Sequence, residues 1–257
     1  MPAPILTLTT DFGLSDHYVG VMKGVILGIC PDAQIVDISH QVSRYAIGEG
    51  AFTVAQAYPY FPPGTVHVAV VDPGVGSPRR PIMVEAAGQY FVGPDNGVFG
   101  MLFAREKHEV RLIQNRRYFR ELVSHTFHGR DIFAPVGAHL AAGVAPPLIG
   151  EILANYVRPT FENPRQTSAR TWEGEVLKVD HFGNVVTNFR ADDFPTLEEL
   201  TVGQAKARRL VRSYAEAAEG ELVAVGGSSG YLEVSLNQGS AAERTGCRAG
   251  DVCWIRM

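Results

Sequence analysis

The first 71 residues alternate twice between a short β-branched run and a stretch of helical spacing, an order that restricts the fold more than any other feature of the chain. Ile5–Thr10 reads as a strand that exits at Asp11. From 18 to 30, Val19, Met22, Val25, Ile26 and Ile29 recur at helical spacing, with Ser15 or Asp16 as cap and Pro31 as stop. Gln34–Ser39 is a second strand, 47–58 a second helix ended by Pro62-Pro63-Gly64, and 65–71 a buried third strand. A β-α-β-α-β order predicts a parallel, helix-flanked sheet, which binds ligands beyond the carboxyl ends of its strands. Asp11, Asp16 and Asp72 lie at such ends.

After Asp72 the chain reads Pro73-Gly74-Val75-Gly76-Ser77-Pro78-Arg79-Arg80. The prolines restrict φ on both sides, and the glycines allow positive φ or close backbone approach, so the loop can hold an acid and a base in place. A plain strand exit with a capping Asp explains the same residues equally well. Segments 81–85 and 89–92 form a hairpin, followed by Gly93-Pro94-Asp95-Asn96-Gly97, where turn chemistry competes with an amide offered by Asn96 to a ligand. Residues 109–114 form another strand. Ser124 to Asp131 then lead into a helix over 132–141, with His128 near its start.

Prolines and charge over 158–170 mark a linker between an N-terminal α/β domain, 1–157, and a C-terminal domain, 171–257. The latter holds short strands (172–179, 185–189, 222–225, 231–235, 252–255) separated by Gly, Asp and Asn turns, the pattern of a small barrel or sandwich. The four basic residues within 206–212 read as a solvated face. The fold class expected is therefore α/β, a helix-flanked sheet plus an all-β barrel-like domain.

Composition narrows the function. With 23 basic and 27 acidic residues and a net charge of −4, no global field attracts nucleic acid or an anionic membrane. Cys30, Cys247 and Cys253 form no CxxC pair, which fits reduced thiols in a cytoplasmic protein. The first residues lack a basic, apolar leader, and no later run nears the ~20 apolar residues of a membrane span. His125 and His128 have a zinc-like spacing without a third ligand, and the carboxylates at strand ends are a weak Mg²⁺ signal, so no metal is expected. Gly74-Val75-Gly76 lacks the third glycine and the helix of a dinucleotide loop, and Asp11-Phe12-Gly13 stands without the other kinase motifs.

Five ordered motifs remain: Thr9-Thr10-Asp11-Phe12-Gly13, Val71-Asp72-Pro73-Gly74-Val75-Gly76 with Arg79, Gly93-Pro94-Asp95-Asn96-Gly97, Thr126-Phe127-His128-Gly129-Arg130-Asp131 and Asp180-His181-Phe182-Gly183-Asn184. Together they resemble the S-adenosylmethionine (SAM) hydroxide adenosyltransferases, adenosine-forming SAM hydrolases related to SAM-dependent fluorinating and chlorinating enzymes. The resemblance implies hydrolysis of SAM to adenosine and methionine without a cofactor, in a homotrimer whose sites lie between the N-domain of one subunit and the C-domain of the next. It places the water-handling set on Asp72, Arg79 and His128 and the ribose acid on Asp11. Asp180 falls near the methionine amino group, with Asp16, Asn96, Phe127, Phe182, Asn184 and Ser228 as further substrate contacts and adenine read by backbone near 236–238. Halogenating relatives carry Tyr at the position of Asp72, Ser at that of Gly129 and a longer loop near 86–88, all absent here. A SAM- or adenosine-binding regulatory module is the alternative outside catalysis; it would leave Asp72, Arg79 and His128 idle.

Overall fold

A computed structural model describes residues 3–159 and 163–257. The chain divides into two compact units, Met1–Pro159 and Thr160–Met257.

In the first unit the elements are β1 (Ile5–Thr10), α1 (Tyr18–Ile29), β2 (Gln34–Ser39), α2 (Ile47–Ala57), β3 (Val66–Val70), β4 (Pro81–Ala86), β5 (Gln89–Pro94), α3 (Gly100–Arg105), β6 (His108–Leu112) and α4 (Ala134–Ala141). The sheet order is β2-β1-β3-β5-β4-β6. Neighbours among β2, β1, β3 and β5 run parallel, while β4 is antiparallel to both β5 and β6. Every residue of β3 is buried, as expected for a central strand covered on both faces. On one face Met22 and Ile26 of α1 and Val136 and Leu140 of α4 pack with Leu6, Leu8, Val66 and Val68. On the other, Val54 of α2 and Leu102 of α3 pack with Ala69, Phe91 and Phe99. The helix-flanked sheet read from periodicity is thus observed, with helices on both sides.

Three local expectations change. α1 begins at Tyr18 with His17 at its N-cap and no side-chain cap bond, so neither Ser15 nor Asp16 caps it. The helix expected from 132 is preceded by a π-helical turn, Gly129–Phe133, before α4. The six-residue α3 was not anticipated, being too short to show helical spacing.

The second unit contains β7 (Arg165–Ser168), β8 (Thr171–Val179), β9 (Val185–Arg190), β10 (Glu199–Val202), β11 (Ala205–Ala207), β12 (Leu210–Val211), β13 (Leu222–Gly226), β14 (Tyr231–Leu236), α5 (Ala241–Thr245) and β15 (Val252–Arg256). The order β11-β10-β15-β8-β9-β14-β13-β12, with β7 paired to β8, curls into a nearly closed barrel-like sheet. Val176, Val185, Phe189, Leu200, Leu232, Val234 and Ile255 fill its core. Of the stretch read as a linker, 160–162 lies outside the described residues and Arg165–Ser168 is a strand. Lys206 and Arg208 pair with Glu199, and Arg209 pairs with Glu221, which accounts for this basic run within the fold. Among the described residues no helix is long and apolar enough to cross a membrane.

One polar chain crosses the first sheet. His67 on β3 is 3% exposed, stacks on Phe91, and bonds Thr7 Oγ1 through Nδ1 (2.7 Å) and Gln89 Oε1 through Nε2 (2.9 Å). The Gln89 amide nitrogen donates to the Tyr58 and Phe61 carbonyls, so its oxygen faces His67 and the imidazole proton sits on Nε2. Burial pushes this histidine down to about 4, the Gln89 bond offsetting only part of the effect. The unfolded chain therefore binds the extra proton first. Stability contributed by neutral His67, about 3 kcal/mol, is present above pH ~6.5 and is lost as pH falls through the folded value. Urea unfolding between about pH 7 and pH 4 should show this acid loss in the wild type and a shallower one in His67→Phe.

Candidate functional site

Because β1, β2, β3 and β5 are parallel neighbours, the residues that follow them, Asp11, His40, Asp72 and Asp95-Asn96, emerge at one edge of the first sheet. Asp72 follows β3 by two residues. Arg79 Nε donates to Asp72 Oδ1 at 3.0 Å and Nη2 to Oδ2, a bidentate pair whose side chains are 9% and 5% exposed. The same Nη2 reaches His128 Nδ1 at 2.8 Å, and the guanidinium lies 5.1 Å above the Phe133 ring. The structure thus brings Asp72, Arg79 and His128 together around one planar cation.

The hydrogen-bond inventory assigns protonation. A guanidinium only donates, so His128 Nδ1 must accept, leaving its ring neutral with the proton on Nε2. Burial pushes His128 below the ordinary histidine range, and the Arg79 charge pushes the same way, outweighing the opposing effects of Asp72 and Asp131.

The loop between Asp72 and Arg79 needs its glycines for specific reasons. Gly76 has φ +78°, and a Cβ there would lie 2.5 Å from the His125 carbonyl oxygen, so only glycine lets this loop close on the segment before His128. A Cβ on Gly74 would lie 3.4 Å from Arg79 Cγ. Asn96 braces the other side: Nδ2 donates to Val71 O at 2.8 Å and Oδ1 accepts from Val98 N at 3.2 Å, so both ends of its amide hold the backbone beside Asp72.

His128 forms the N-cap of the π-helical turn. Asp131 within that turn is fully buried and accepts from Ser124 N and Oγ (2.9 and 2.8 Å) and from Arg130 Nε and Nη2 (2.6 and 2.9 Å). Ser124 Oγ in turn accepts from Phe127 N, so Asp131 organises the approach to His128. The Phe127 side chain, 9% exposed, packs edge-on against Phe12 and Tyr18 beneath Arg130.

Asp11 and Asp16 line a cleft of about 650 Å³ made by 11–16 and 40–45. Tyr45 N donates to Asp11 Oδ2 at 2.9 Å, and Tyr45 itself has φ +67° and is 70% exposed, an aromatic ring held at the rim by an unusual backbone. Among the described residues no group of three or more His, Cys, Asp or Glu side chains is arranged to hold a metal ion.

The second unit carries its own cleft of about 690 Å³, lined by Asp180, Phe182, Asn184, Tyr214, Ser228, Glu233 and residues 236–239. Here Asp180 organises the β8–β9 turn. Its Oδ1 accepts from Phe182 N and Asn184 N (2.9 and 2.8 Å) and its Oδ2 from Asn184 Nδ2 (2.8 Å). Gly183, at φ +82°, lets that turn pass Ser240, and Phe182 stands 77% exposed at the cleft. Asp180, Phe182, Asn184 and Ser228 therefore share one cavity.

The sequence pattern assigns no site role to Tyr45, Tyr214, Glu233 or the pairing of Arg80 with Asp95, whose Nη2 to Oδ2 distance is 2.6 Å. Only Glu233 had a signal, an acid within the apolar alternation of β14.

Residues 6–150 match the SAM hydroxide adenosyltransferase N-terminal domain, and residues 174–254 match its C-terminal domain. The chain is 38% identical over 268 residues to the (R)-S-adenosyl-L-methionine hydrolase of Salinispora tropica, covering 97% of each. A fluorinase of Nocardia brasiliensis is 29% identical over 287 residues, 96% of this chain and 95% of its own. The crystal structure of an uncharacterized conserved protein from Thermotoga maritima superposes with a TM-score of 0.89 at 38% identity, over 98% of this chain and 100% of that one. With both halves matched in order and two full-length relatives at this identity, the chain belongs to the SAM hydroxide adenosyltransferase family.

Proposed function

We propose that this protein hydrolyses S-adenosylmethionine to adenosine and methionine by attack of water on the ribose C5′, without a metal or other cofactor. The observation that carries the reading is Arg79 clamped between Asp72 and His128 at a strand-end loop. Water supplies the new C5′–O bond, the C5′–S bond breaks with its electron pair going to sulfur, and the sulfonium leaves as the neutral thioether of methionine. The attacking oxygen becomes positively charged as it bonds, and it then sheds a proton.

Asp72 is the group placed to take that proton. His128 holds its one imidazole proton on Nε2 and gives its Nδ1 lone pair to Arg79, so it accepts a second proton only by breaking a 2.8 Å bond. Each Asp72 oxygen accepts from Arg79 and retains a further lone-pair site. A carboxylate paired with a guanidinium is a weak base, yet it suffices for the strongly acidic oxygen formed after attack. Arg79 orients Asp72 and stays charged throughout.

The binding reading assigns ribose to Asp11, the methionine amino group to Asp180, and further contacts to Asp16, Asn96, Phe127, Phe182, Asn184 and Ser228. Asn96 and Phe127 act indirectly, one bracing the backbone beside Asp72 and the other packing under the loop. The active form is a cytoplasmic homotrimer with sites between subunits. Halide chemistry is disfavoured by Asp72 and by Gly129: a Cβ there would lie 3.3 Å from Met22 Sδ and from the Phe127 ring, so a serine would press on both.

Purified protein incubated with SAM should release adenosine equally with and without EDTA, followed by chromatography; absence of adenosine above background would overturn the reading. Asp72→Asn should lower kcat by about 10²- to 10⁴-fold while adenosine still binds. Because neutral His128 must accept from Arg79, kcat/KM should hold flat through the ordinary histidine range and fall only on the acid side of pH ~6.5, and His128→Gln should abolish that limb. Light scattering should report a three-chain species, and a fully active monomer would contradict shared sites.

A further inference from the structure

The cleft of the second unit has a floor that the assigned contacts do not explain. β14 turns Leu232 and Val234 into the barrel core, so Tyr231, Glu233 and Ser235 occupy its opposite face. Glu233 is 6% exposed, and among the described residues no basic side chain pairs with it. Burying such a carboxyl is costly, and burial, together with the Asp180 charge, pushes it above the usual carboxylate range.

Two contacts enclose this carboxyl. A Cβ on Gly227 would lie 2.7 Å from Glu233 Oε2, so the glycine turn before β14 closes directly over it. On the other side the Tyr214 hydroxyl donates to Oε1. Tyr214 stands on a single 3₁₀ turn, Tyr214–Glu216, in a segment that pairs with no strand. That segment is tied down beyond the ring, where Asn237 Nδ2 donates to Ala217 O at 2.7 Å and Gly220 N donates to Asn237 O at 3.0 Å. The ring is 44% exposed and lines the cleft, and its polar anchor is Glu233.

We propose that Glu233 is a positioning residue that locks the Tyr214 ring as one wall of the cleft, and so sets how tightly the cleft grips the flat base of a nucleoside. The proposal rests on the hydrolase reading for the identity of that base. An unanchored tyrosine on a short turn must be ordered at each binding event, whereas one already bonded to a buried acceptor is in place beforehand. The acceptor rather than the charge matters, since a glutamine oxygen at this position accepts the same hydroxyl proton.

The test compares Glu233→Gln, Glu233→Leu and Tyr214→Phe in the full chain, with SAM turnover and calorimetric binding of adenosine alone as readouts. Glu233→Leu and Tyr214→Phe should each raise the adenosine Kd and the KM for SAM about 3- to 10-fold, the worth of one hydrogen bond, with kcat nearly unchanged. Glu233→Gln should restore both constants to wild-type values. An unchanged Kd in Tyr214→Phe overturns the proposal, as does a fall in kcat at constant KM or a Glu233→Gln variant that keeps adenosine but loses SAM. Should Glu233→Leu fail to fold, Tyr214→Phe, one hydroxyl on an exposed turn, decides alone. A wild type that turns over SAM while Tyr214→Phe matches it sinks only this role; a wild type that binds neither molecule sinks the hydrolase reading and this role with it.

Discussion

A guanidinium held between a carboxylate and an imidazole is the constraint on which the first unit depends. Burying Arg79 and Asp72 together costs desolvation that the pair recovers only with good geometry, and their two parallel hydrogen bonds provide it. Good geometry in turn demands a loop that leaves β3, turns within seven residues and returns Arg79 to the strand end. Gly76 permits the turn by meeting the His125 carbonyl where no side chain fits, and Asn96 keeps the strand end from shifting by bonding Val71. Removing either partner of such a pair leaves a buried charge behind, so the surrounding braces protect stability and chemistry at once.

The same logic continues on the far side of His128. The π-helical turn places an acid, Asp131, where a regular first turn would have placed it differently, and that acid gathers Ser124, Arg120 and Arg130. Their bonds give the segment before His128 a defined path although it contains no regular element. Phe127 anchors it from below through Phe12 and Tyr18. The histidine is thus held by neighbours on both sequence flanks, and Arg79 needs only to choose its tautomer.

Much of this was legible in the sequence because it depends on period and punctuation. The apolar residues of α1 and the buried run of β3 follow from spacing, and Asp11 and Asp72 stand at strand ends because the runs stop there. What escaped depends on tertiary pairing. Nothing in Gly93-Pro94-Asp95-Asn96-Gly97 tells that Asp95 receives Arg80 and the Val157 amide while Asn96 reaches Val71, since each partner comes from another element. Asp131 read as a helix entrance because a π turn and an α turn begin with the same residues. The strand Arg165–Ser168 is exposed throughout and short, so Pro159, Pro164 and the charges around it outweigh its pairing with β8. Tyr45 was invisible for a different reason: a positive φ on a non-glycine residue is imposed by surroundings, here the Asp11 bond to its amide.

The acids around the Arg79 cluster and those of the second unit's cleft are compensated in opposite ways, and the proposed reaction gives that difference a meaning. In the first, Asp72, Asp95 and Asp131 each meet an arginine, so the proposed water-handling set is close to neutral. In the second, Asp180 is satisfied by backbone and amide donors alone, and Glu233 by a phenol, with no basic partner for either among the described residues. Burial and the neighbouring Asp180 push Glu233 above the usual carboxylate range. SAM carries an ammonium that the reaction leaves in place and a sulfonium that it discharges. An uncompensated carboxylate suits the charge that persists through the reaction, while a neutralised acid–base set withholds stabilisation from the charge that must disappear, so binding energy is gained at one end without deepening the ground state at the other.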